Sequence, residues 1–83
     1  MIIINQDRDA RISLQKKEDI KGQVIIKDNT YIGINLVYKD KILGTFDTFE
    51  EFITELININ NCTYRYYVVN GFSDYDNCFK EVN

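Results

Sequence analysis

Apolar and polar residues alternate at strand spacing over most of this chain, and one stretch alone has helical spacing. Residues 1–4 form a short β-branched run, which predicts a strand. Residues 5–9 are all polar and read as a turn. Ala10, Ile12 and Leu14 then alternate with Arg11 and Ser13, again at strand spacing, and residues 15–19 read mostly as loop. The clearest hairpin has residues 23–27 as one arm and Thr30–Tyr38 as the other. Between them, Asp28 and Asn29 tolerate the positive φ that a two-residue type I′ turn demands. Ile32, Ile34, Leu36 and Tyr38 make one uniformly apolar face on the second arm. Lys39-Asp40 is a further tight turn, and Lys41–Phe46 a third strand of the meander.

The period then changes. Phe49, Phe52, Ile53, Leu56 and Ile57 fit the i, i+3, i+4, i+7, i+8 pattern of an amphipathic helix. Asp47 or Thr48 can cap it, with Glu50 or Glu51 at the third helical position to close a capping box. The helix is expected to fray over residues 58–61, and Glu50, Glu51 and Glu55 fall on its polar side. Its apolar stripe is expected to pack on Ile32, Ile34 and Leu36, so that Leu56→Ala costs about 2–5 kcal/mol. Residues 62–69 are β-branched and aromatic and predict another strand, and Asn70-Gly71 is a turn signal. Beyond it, Tyr75, Cys78, Phe79 and Val82 have helical spacing, while residues 77–82 equally fit a short closing strand. The sum is one α+β domain over residues 1–83: an antiparallel β-meander of four to five strands, open or partly barrel-like, with one amphipathic helix packed on one face.

Composition narrows the function. A chain of 83 residues has room for one small core. The longest apolar run is four residues, against roughly 20 for a membrane span, and no secretory signal is read. His is absent, which removes the usual general base and the commonest metal ligand. The two cysteines, Cys62 and Cys78, cannot make a standard zinc site; they could form a disulfide were the domain secreted, but buried free thiols are the default expectation. Four glycines, none grouped, give no GxGxxG and no P-loop. Asp74, Asp76 and Asn77 offer oxygen ligands without the EF-hand order. No catalytic residue, metal or cofactor is therefore expected.

Charge is divided: residues 1–41 carry a net +2 and residues 42–83 a net −5. An acidic C-terminal half argues against direct nucleic-acid binding and suits a basic partner protein. Exposed tyrosines favour protein interfaces. The candidate partner-binding residues are Glu51, Glu55, Arg65, Tyr67, Phe72, Asp74, Tyr75 and Asp76, with the loop over residues 70–77 as the single best contact surface. Ile (13), Asn (9), Lys (7) and Tyr (6) abound while Ala occurs once, a codon bias towards AT-rich genomes.

The opening Met-Ile-Ile-Ile-Asn-Gln-Asp-Arg-Asp, and later Leu43-Gly44-Thr45-Phe46-Asp47-Thr48-Phe49-Glu50-Glu51, resemble a group of small uncharacterised proteins. These come from phages and prophages of low-GC Gram-positive bacteria. The two blocks cover about a quarter of the chain. Residues 78–83 lack the group's proline-ending tail, and Gly22 stands where the group carries a longer apolar strand. The resemblance implies a closing strand rather than a second helix, and a mobile-element origin. It implies no reaction. The expected function is a non-enzymatic accessory protein that inhibits a host defence protein, in the manner of small anti-CRISPR proteins. It would act in the host cytoplasm through an acidic, Tyr-rich surface on a basic, nucleic-acid-binding host protein. The alternatives are a sponge for a nucleotide second messenger, or a regulatory or structural module without a defence role. No membrane partner is expected, and an exposed edge strand leaves a homodimer open.

Overall fold

The computed structural model describes residues 1–69 and 77–79. In chain order the elements are β1 (Ile2–Ile4), β2 (Arg11–Ser13), a 3-10 turn (Lys17–Asp19), β3 (Ile20–Lys27), β4 (Thr30–Tyr38) and β5 (Lys41–Phe46). The helix α1 (Phe49–Asn61), β6 (Tyr66–Val68) and β7 (Cys78–Phe79) follow. The class is α+β, and the meander is β3-β4-β5 with α1 packed on β4 and β5. The remaining strands form a second sheet in the order β2-β1-β6-β7. Within it β1 and β6 run parallel, so the whole meander and helix serve as the crossover between them. The closing strand is present: Cys78–Phe79 pairs antiparallel with β6.

Turn chemistry acts as the residues predict. Asp28 and Asn29 take φ of 52° and 61°, and the β3–β4 hairpin closes on them. Lys39 takes φ of 55° at the next turn. In the first turn, the Asn5 side-chain oxygen accepts from the amides of Asp9 (3.0 Å) and Ala10 (3.1 Å). Thr48 caps α1, its hydroxyl accepting from the Glu51 amide at 3.1 Å. The other helix end holds to Asn61 instead of fraying, because Lys17 reaches across and donates to the carbonyls of Asn60 and Cys62.

Two bulges shape the meander. Between β3 and β4 the pairing shifts so that Ile32 has no partner, and between β4 and β5 Leu43 has none. Ile34 and Leu36 are buried as expected, but Ile32 is 50% exposed and does not receive the helix. The bulge takes it out of the alternation on which that expectation rested. The Leu43 bulge has the opposite use. Its carbonyl turns to accept from the Gln6 amide at 2.7 Å, and the Gln6 side chain accepts from the Thr45 amide at 2.8 Å. The segment after β1 is thereby fastened to β5, and the two sheets share one core of Ile3, Leu36, Leu43, Phe46, Tyr67 and Val69. A side chain at Gly44 would sit 2.8 Å from Val69 Cγ1, so this junction requires glycine.

The helix is rotated from its expected setting. Its buried residues are Phe52, Glu55 and Ile59, with Ile53 and Leu56 half-buried. Phe49 (61%) and Ile57 (52%) are exposed. The cysteine expectation is also corrected: Cys62 and Cys78 form a disulfide, tying the C-cap of α1 to β7. Closing a loop of this length stabilises by about 3 kcal/mol on chain-entropy grounds.

Leu36→Ala, at a site with no exposure, is expected to cost about 2–5 kcal/mol. Leu56→Ala, half-buried, should cost clearly less. Urea denaturation of both variants checks this, and equal losses would contradict the helix setting.

Candidate functional site

Glu55 and Tyr67 meet inside the molecule. Glu55 lies at i+3 from Phe52 and i−4 from Ile59, so it shares their inward face. It is 3% exposed. Tyr67, on the central part of β6 and fully buried, donates its hydroxyl to Glu55 Oε1 at 2.9 Å. Burial pushes the Tyr67 phenol well above its usual pKa of 10.0, and the charge of Glu55 pushes the same way. Hydrogen bonds from the Asn77 and Asn58 side chains oppose the shift without reversing it. The phenol thus stays protonated and keeps donating to the carboxylate. A pair so enclosed orders α1 against β6. It does not present a surface or reach a substrate.

The sequence-predicted contact residues are therefore not all together. Glu55 and Tyr67 are inside, which corrects their assignment to a partner-binding surface and Glu55's placement on the polar side of the helix. The physical reason is the hydrogen bond that Tyr67 donates and Glu55 accepts. Glu51, one turn before Glu55, is half-buried, and its Oε2 is shielded from solvent without a hydrogen-bond partner among the described residues. Arg65 is exposed, its guanidinium 5.7 Å from the centre of the Tyr66 ring. Phe72, Asp74, Tyr75 and Asp76, and with them most of the 70–77 loop, lie outside the described residues. Among the described residues no group of three or more His, Cys, Asp or Glu is arranged to hold a metal.

A different surface does assemble. Ile20, Gly22 and Val24 stand opposite Tyr38, Leu36 and Ile34, so they share the face that α1 covers. A side chain at Gly22 would collide with the Phe52 ring, 2.6 Å away, which marks where the helix begins to cover the sheet. The hairpin continues past this point. Val24, Ile26 and Tyr31 extend the same face into solvent, each about half exposed or more. Tyr31 bends back to donate its hydroxyl to the Asp47 carbonyl at 3.1 Å, just before Phe49. Phe49 in turn leans on Phe52, ring centres 6.0 Å apart. The result is an apolar patch at the junction of hairpin and helix start. Spacing alone had assigned Phe49 to the core; the signal that it is free is the glutamate three residues beyond Phe52.

On the outer face of the meander, Asp19, Lys21, Val37 and Lys39 line a hollow of about 200 Å³. This falls short of the ~300–1,000 Å³ typical of small-molecule sites. No helix among the described residues is long and apolar enough to cross a membrane. The chain matches no protein-family model, no curated protein and no solved structure.

The folded state holds the Tyr67 proton more tightly than the unfolded chain, which releases it near pH 10. The contribution of Tyr67 to stability is therefore complete below about pH 10 and falls as pH rises above it. The fall should be steeper for the native chain than for Tyr67→Phe. Urea unfolding across an alkaline pH series measures both, and parallel curves would contradict the shift.

Proposed function

We infer that this chain acts by binding another protein, without catalysing a reaction. The observation that carries this reading is the apolar patch of Val24, Ile26, Tyr31 and Phe49, left exposed beside the core. Contiguous exposed apolar surface of this kind marks contact sites in small soluble domains. Aromatic anchors such as Tyr31 and Phe49 supply contact area at low entropic cost. The patch replaces the acidic, Tyr-rich surface as the favoured contact region, since two members of that surface are in the core.

The finer parts of the proposal are carried by the sequence alone. They are an origin in a phage or prophage, a host defence protein as target, and the host cytoplasm as the place of action. The disulfide bears on the last of these. Such bonds persist in oxidising surroundings, and in a reducing cytoplasm Cys62 and Cys78 would be a pair of adjacent thiols.

Phe49→Glu combined with Tyr31→Thr is the test. Glutamate suits the first turn of a helix and threonine suits a strand, so the fold should survive, as a thermal melt would show. Tagged native chain is expected to retain a specific protein from a lysate of a low-GC Gram-positive bacterium, and the double variant to lose it. Equal retention by both would contradict the patch as the contact surface.

A further inference from the structure

The meander ends on β3, and among the described residues no strand pairs with its outer side. The hydrogen bonds across the sheet run only to β4. Both bulges lie on the neighbouring strands, at Ile32 and Leu43, so β3 itself is regular over all eight residues. Its outward amides and carbonyls form a template for one more strand. Ile20, Gly22, Val24 and Ile26 face the helix side; Lys21, Gln23, Ile25 and Lys27 face the other. Asp19 borders the hollow on that second side together with Lys21. Neither Asp19 nor Lys27 makes an ion pair among the described residues.

We propose that this edge is occupied by β3 of a second copy of the chain, antiparallel about a two-fold axis at Gln23, giving one six-stranded sheet. The charge pattern selects both the occupant and the register. About Gln23, Asp19 of each copy, the last residue of the 3-10 turn and one position before β3, comes to the end of the ladder where Lys27 of the other copy lies. Two opposite-charge pairs therefore form at the two ends of the ladder. Moving the axis one residue, to Val24, sets Lys21 against Lys27 twice and is disfavoured by like-charge repulsion. In the Gln23 register, Ile26, the most exposed of the large apolar side chains at 66%, meets Ile20 of the second copy. Val24 comes beside Gly22 of the second copy, next to the Phe52 ring that covers it. Apolar contact supplies the attraction, and the charged ends, individually weak at a surface, fix the register. The interface is isologous, as closed dimers require.

The proposal extends the reading of the chain as a binding protein and is tested apart from it. Sedimentation equilibrium of the full chain over a concentration series should show a monomer–dimer equilibrium. Asp19→Lys alone and Lys27→Asp alone each place like charges opposite, and each should weaken the dimer roughly tenfold. The two together restore opposite charges and should restore the dimer. Amide hydrogen exchange gives a second readout: the outward amides of β3 should be protected at high concentration and lose protection on dilution. A chain that stays monomeric throughout would overturn the proposal and point to another occupant, such as an acidic extended segment of a different protein. A dimer indifferent to both single substitutions would overturn the register and the edge alike. Val24 and Ile26 belong to both surfaces, so the dimer leaves Tyr31 and Phe49 as the open part of the contact patch, whose own failure is read by retention of the captured protein.

Discussion

The hydrogen bond from Tyr67 to Glu55 is the constraint around which this fold is arranged. A carboxylate in an apolar interior is costly unless it is met by donors, and a buried phenol likewise needs an acceptor. Each group here answers the other's requirement. Because Glu55 must face inward, α1 is set with Phe52, Glu55 and Ile59 against the sheets. Phe49 and Ile57 are consequently carried to the outside. The apolar patch that supports the functional reading is thus a consequence of one polar contact in the core. The same contact binds α1, which covers the meander, to β6, which belongs to the other sheet.

Three further links hold the two sheets in one unit. The Leu43 bulge frees a carbonyl for the Gln6 amide, and the Gln6 side-chain oxygen accepts from the Thr45 amide. Lys17 closes the end of α1 from the short turn before β3. The Cys62–Cys78 disulfide joins that same helix end to β7, beside β6. For a domain of this size, with little apolar area to bury, such fasteners carry an appreciable share of the stability. None of them covers β3, which stays at the edge of the meander.

Much of the framework was legible because local chemistry determined it. Asp28-Asn29 closes a hairpin wherever two strand patterns flank it, and Thr48 before an acidic, periodic stretch starts a helix. The misreadings share a cause, which is that an inserted or polar residue overrode a regular period. Ile32 follows the alternation of its strand, yet a bulge removes it from the core face, and its one local signal is the lone glycine that follows it, Gly33. Glu55 was counted as polar surface because a single charged residue reads as solvated until its partner is known, and that partner lies twelve residues on, in another sheet. The parallel pairing of β1 with β6 joins the two ends of the chain and is likewise invisible to local periodicity. The cysteines, sixteen residues apart, became a pair through that same non-local arrangement.

The titratable pair that most resembles chemistry is sealed, while the apolar patch beside the helix start is outside. Everything in that account turns on Glu55 and Tyr67 being coupled through the core. The most direct measurement is a double-mutant cycle of Glu55→Gln and Tyr67→Phe by urea denaturation. The account predicts a coupling energy of at least about 1 kcal/mol, as for contacting groups in one buried network. Strictly additive losses would show that the two side chains do not meet, and would contradict the helix setting and the exposure of Phe49 together.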